Sequence, residues 1–217
     1  MATSPQRRQK QLAKKKVKRK AMVSAKKMVD KFGGLFSQAA FKNVPIYECL
    51  APSELFELGI GTVVIARKMP NGDIGVSFFM LDVFCLGVKN AFFAEFTLQE
   101  YRQKLWELGE HESMQTISPA CARKLIEDCA VYAKNLGFSP VPDYTKAKMV
   151  FGDTKADECP EDFEFGKDGK PLYVIGPFDT PEKSKKILKQ LDKTCGQGEF
   201  HYVTGVEPFD EEKEFKT

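Results

Sequence analysis

Residues 1–31 hold twelve basic side chains (Arg7, Arg8, Lys10, Lys14, Lys15, Lys16, Lys18, Arg19, Lys20, Lys26, Lys27 and Lys31) against a single acid, Asp30. A block of like charge repels itself and resists burial, so this stretch is excluded from any hydrophobic core. The whole chain has 33 basic and 30 acidic residues, which leaves 21 and 29 beyond residue 31. An arm of +11 therefore precedes a body of −8, and the net +3 conceals both. Whatever folds must be built after Gly33-Gly34, which forms a flexible joint.

Three regions follow: a basic arm over 1–34, flexible or helical only when bound; an α+β domain over 35–205; and a mobile acidic tail over 206–217. Lys14/Lys18 and Lys16/Lys20 stand one helical turn apart and oppose a free helix, so the arm is expected to order on a polyanion. The body has the apolar content to offset ordering entropy, for the chain is 42% apolar and carries 18 phenylalanines. Its longest apolar stretch, Ile74 to Val88, is broken by Ser77 and Asp82 and falls short of a membrane span. The N-terminus lacks the apolar core of a secretory signal and the Arg/Ser balance of a transit peptide. Lys14 to Lys20 would serve as a nuclear import signal in a eukaryotic source. Six scattered cysteines show no zinc spacing and read as reduced packing thiols, which points to a cytoplasmic protein.

Local signals outline a mixed sheet with packed helices. Strands are expected from Val44 and over Thr62–Lys68. The reversal Pro70-Asn71-Gly72-Asp73 then leads into Ile74–Val83, which is apolar on both faces and so central. Thr97 and Glu100 form a capping box that opens a helix to about Leu108, and Ser118-Pro119 opens another that ends at Gly137. Both helices are expected on one face of the sheet. Lys167-Asp168-Gly169-Lys170 predicts a hairpin between Phe163–Phe165 and Leu172–Ile175. Thr180-Pro181 opens a last helix, and Phe200–Thr204 is the closing strand, parallel to the strand before that helix if the two share a sheet.

Candidate chemistry is sparse. Asp82 lies in VSFFMLDVFCLGV, where an ionised carboxylate needs a partner. As a catalytic residue it would hold a metal with acids such as Glu95, Asp153 or Asp157 and make the chain a metal-dependent nuclease. As a structural residue it would pair with Lys89 or Arg67, or cap the turn at Gly87, and that reading is preferred. Phe151-Gly152-Asp153 with Asp157 and Cys159 reads as a turn before it reads as a cation loop, because the acids lack a regular spacing. His111 and His201 stand in different elements, so a Cys85–His201 nucleophilic pair would need the fold to join them. Gly176 to Pro181 lies where phosphate loops occur, but its prolines remove donors and Asp179 repels anions, so it reads as a helix cap. Phe78, Phe79, Phe92, Phe93 and Tyr101 would stack bases only from an open sheet face; core packing is the preferred reading. Neither a cofactor nor a resident metal is called for.

The stretches FGD, FEFGKDGKP and YVIGPFDTP between Phe151 and Tyr202, with the lysine-rich N-terminus, resemble those of uncharacterised bacterial proteins. That resemblance implies a bacterial source and carries over neither an activity nor a site residue. Function is read from the arm. The expectation is a nucleic-acid-binding or ribonucleoprotein-associated accessory factor that lays Arg7 to Lys27 along phosphates, RNA being favoured over DNA. The acidic body would meet a protein partner or solvent, with no membrane involved. A protein-only adaptor whose arm contacts an acidic subunit is the further alternative.

Overall fold

The computed structural model describes residues 38–176 and 179–203. Its centre is a five-stranded antiparallel sheet in the order β4-β3-β2-β1-β5, formed by β1 (Ile46–Pro52), β2 (Ile60–Lys68), β3 (Ile74–Asp82), β4 (Gly87–Phe96) and β5 (Met114–Thr116). A short helix α1 (Leu55–Leu58) joins β1 to β2, α2 (Leu98–Gly109) joins β4 to β5, and α3 (Pro119–Asn135) follows β5. One turn of helix, α4 (Tyr144–Ala147), comes next. A second, smaller sheet has β6 (Leu172–Val174) and β7 (His201–Val203) as parallel neighbours, with α5 (Pro181–Cys195) between them in sequence, and this part packs on Cys85 and Leu136 of the main body. The expected mixed sheet is thus two sheets of unmixed direction. Helix α5 separates β6 from β7 in sequence, as a parallel connection requires.

The Pro70–Asp73 reversal joins β2 to β3 in unbroken register from Ile60↔Asp82 to Lys68↔Ile74. Alternation then sends Val63, Ile65, Phe79 and Leu81 to one face and Val64, Ala66, Val76 and Phe78 to the other. Helix α3 covers the first face with Ala122, Leu125, Ile126 and Cys129. Helix α2 covers part of the second with Tyr101, Leu105 and Leu108. The two helices therefore lie on opposite faces of the sheet, contrary to the sequence expectation. An apolar stripe shows only that a helix is buried, and both faces of β3 needed a cover.

The caps are where the local residues place them. Thr97 Oγ1 accepts from the Glu100 amide, and the Glu100 carboxylate accepts from the Thr97 amide, which holds that carboxyl below its ordinary pKa. Ser118 caps α3 at the Cys121 amide, and Thr180 caps α5 at the Lys183 amide. Lys167 and Lys170 close the expected turn by exchanging two backbone hydrogen bonds, but Phe163–Phe165 forms no strand. Its aromatic rings are used in packing instead.

Cys121 and Cys159 form a disulfide with their Cα atoms 4.8 Å apart. This corrects the reading of six free thiols. A separation of 38 residues carries no pairing signal, and only the return of the chain past the start of α3 brings the two together. Cys49, Cys85, Cys129 and Cys195 remain free. Among the described residues, no helix is long and apolar enough to cross a membrane.

Candidate functional site

The arm residues named above and the acidic tail lie outside the described residues. What the structure places is the set of body residues that the sequence singled out.

Asp82 ends β3, 7% exposed. One carboxylate oxygen accepts from the Phe84 and Cys85 amides, and the other lies 3.9 Å from Lys89 Nζ. Loss of water raises its pKa, and Lys89 and the turn amides oppose that rise. The geometry is that of a side chain capping its own turn, which returns to β4 at Gly87. Glu95 lies at the other end of the same hairpin, because β4 aligns Glu95 with Gly75 and Gly87 with Asp82. Seven residues of strand place those ends roughly 23 Å apart. Asp153 belongs to that far end too, 3.7 Å from Arg67, which aligns with Gly75. Glu95 instead accepts from Asn71 Nδ2 at 2.7 Å. The acids proposed to join Asp82 are thus not brought to it, and among the described residues no three of His, Cys, Asp and Glu gather as a metal site would require.

Arg67 is the buried charge that sequence reasoning underused. At 2% exposed, it donates to the carbonyls of Val44, Val150 and Phe151 and to Thr154 Oγ1, with Asp153 beside it. It binds the start of the body and the 148–154 segment to the edge of the core. Gly152 completes this knot with φ +55°; a Cβ there would stand 2.6 Å from the Phe41 carbonyl and 2.9 Å from Arg67 Nη2. The glycine of Phe151-Gly152-Asp153 is therefore explained by packing. Cys159 is held in the disulfide, and Asp157 is exposed on a turn.

Cys85 is fully buried, and burial pushes its thiol far up, whereas His201 is exposed on β7. They make no nucleophile and base. Asp179 accepts from the Gly176 amide, the Tyr173 hydroxyl and Lys183 Nζ, a knot at the start of α5 that leaves its carboxylate below the ordinary range. The cap reading of that segment holds.

Of the five aromatic candidates, Phe79 and Tyr101 are core residues at 0% exposure, and Phe93 packs edge-on against Phe41. Phe92 is exposed and stacks on Phe78 at 4.9 Å, with exposed Met80 also on β3. Core packing is the rule, and Phe92 departs from it.

Two surface features had no sequence signal. On α5, Ser184, Ile187 and Leu191 turn inward while Lys185, Lys186, Lys189 and Lys193 are exposed within an arc of roughly 100° at helical spacing. No ion pair among the described residues neutralises them. The second feature is a groove of about 1090 Å³ between α1, β5 and the chain from Glu161 to Gly169. Phe56 stacks parallel to Phe163 in it at 5.9 Å, and Phe165 lies beside them.

No family model matches the chain, and neither does any curated protein or solved structure.

Proposed function

We propose that this protein is a non-catalytic nucleic-acid-binding or ribonucleoprotein-associated accessory factor, with RNA its preferred ligand. The observation that carries the reading is the +11 charge of residues 1–31 against a −8 remainder. Lysines and arginines at that density displace counterions from phosphates, and this supplies the free energy of binding. An arm of that composition, expected to order only on a polyanion, would suit the irregular grooves of folded RNA. The body supports the reading in one place, the unpaired lysine stripe of α5, which would extend the phosphate contact beyond the arm. The acidic remainder would face solvent or a protein partner. The nuclease alternative loses ground because Asp82 caps its own turn and its supposed partners stand elsewhere.

The test is a salt series on single-stranded RNA, structured RNA and duplex DNA with the full chain and a chain lacking residues 1–31. Each phosphate contact contributes about 0.7–0.9 to the slope of log affinity against log salt. Full-length protein should show a steep slope and the truncated protein a shallow one with most affinity lost. Neutralising Lys14, Lys15, Lys16, Lys18, Arg19 and Lys20 together should reproduce most of that loss. Equal slopes and affinities on all three ligands would refute the arm as the contact and leave the adaptor reading in front.

A further inference from the structure

The groove beside α1 combines three properties that rarely meet on a surface with no task. It is a concavity of about 1090 Å³ with a floor of stacked phenylalanines, where Phe56 is left 36% exposed. Its wall is preformed, because the chain from Glu161 to Gly169 is anchored at one end by the Cys121–Cys159 disulfide and at the other by the Gly166 amide on the Val83 carbonyl. Its rim is acidic: residues 153–168 hold seven acids against Lys155 and Lys167. Glu161, Asp162, Glu164 and Asp168 line the groove itself, and only Asp162 has a cation partner among the described residues, Lys124 at 2.7 Å.

Such a groove fits an extended cationic segment that also carries apolar side chains. Aromatic faces attract ammonium and guanidinium groups, as Lys167 Nζ already shows over the Phe84 ring at 5.4 Å, and the carboxylates add long-range attraction. The basic arm of this chain has that chemistry. Residues 12–22 interleave Leu12, Val17 and Met22 with six of the twelve basic groups of the arm. From the first described residue, the 37 preceding residues would span roughly 120 Å if extended, so length does not limit their reach to the groove. Tethering also raises their effective concentration there.

We propose that the groove is the docking site of the protein's own basic arm, so that the body holds the arm back from polyanions until a phosphate-rich ligand displaces it. The proposal rests on the arm as the nucleic-acid contact. If the arm is docked for nine-tenths of the time, the apparent affinity for RNA is about tenfold weaker than that of the free arm.

Two measurements on the full chain test it. The first is zero-length carbodiimide cross-linking at low salt, read by mass spectrometry. Docking predicts links within one molecule from the Lys14–Lys20 cluster to Glu161 or Glu164, which single-stranded RNA or high salt suppresses. Links evenly spread over exposed acids such as Glu107 and Glu110 would overturn the proposal. So would links that appear only in dimers, which would assign the groove to a second copy. The second is RNA affinity after Glu161→Gln, Asp162→Asn, Glu164→Gln and Asp168→Asn together, against a control that neutralises Glu107, Glu110, Asp143 and Asp192. The rim variant should bind single-stranded RNA about tenfold more tightly than wild type, with little change in the control. An equal gain in both variants would mean general charge relief and would overturn docking. If no form binds nucleic acid while the groove cross-links persist, the nucleic-acid reading fails and the docking stands.

Discussion

Arg67 and Asp82 are both buried charges on the β2–β3 hairpin, at its opposite ends, and they are kept in different ways. Asp82 is satisfied by amides two and three residues away and by Lys89 on the adjoining strand. Arg67 is satisfied by carbonyls 23, 83 and 84 residues away. A local cap needs little more than its own turn, whereas a long-range clamp needs the whole domain assembled around it. Removing a buried charge costs what its partners lose, so equal burial conceals unequal consequences.

The largest expected effect breaks the clamp. Arg67→Met leaves the buried Val44 and Val150 carbonyls without donors, while Phe151 keeps the Thr154 amide, and should cost about 4 kcal/mol in denaturant unfolding. Arg67→Lys should recover less than half, since one ammonium cannot present the planar fork that reaches all three. A loss below about 1 kcal/mol would mean the knot is not where the stability lies. The second effect releases the same returning segment at its other attachment. Cys121→Ser with Cys159→Ser should lower stability by about 3 kcal/mol, and thiol titration of denatured wild-type protein should find four thiols before reduction and six after it. Six before reduction would restore the reading of free cysteines.

Gly152→Ala tests the clamp without touching the charge. The left-handed backbone and the approach to Phe41 and Arg67 predict a loss of about 2 kcal/mol, seen as a lower unfolding midpoint. The smallest effect belongs to the cap. Asp82→Asn keeps an oxygen for the turn amides and should cost about 1 kcal/mol at pH 7. Because burial raises the folded-state pKa of Asp82, the wild-type contribution is fully present below the ordinary carboxylate value of about 3.9 and is lost as pH rises through the folded value. The stability gap between wild type and Asp82→Asn should therefore narrow from pH 4 to pH 7. A gap that widens instead would show that Lys89 and the amides outweigh desolvation.

Much of the fold was legible where neighbours in sequence are also neighbours in space. The Thr97/Glu100 box, the Ser118-Pro119 start, the Pro70–Asp73 reversal and the two-sided apolarity of β3 each involve residues a few positions apart. The candidate site was less legible. Asp82 was correctly singled out as anomalous, and its capping role was one of the alternatives open to it. The groove and the α5 stripe were not foreseen, since a run such as FEF or KSKK does not say which of its side chains the fold leaves exposed.

By itself the sequence determined the charge contrast between residues 1–31 and the rest, the helix starts, the main hairpin and the need for cover on both faces of β3. Those properties rest on charge density, capping geometry and periodicity, which act over a few residues. Only the tertiary structure decided that α2 and α3 take opposite faces, that Cys121 meets Cys159, that Arg67 gathers carbonyls from two distant segments and that Phe56 and Phe163 floor an acid-rimmed groove. Each of these joins residues tens of positions apart. Which distant partners meet is set by the packing of the whole domain, and no local pattern records it.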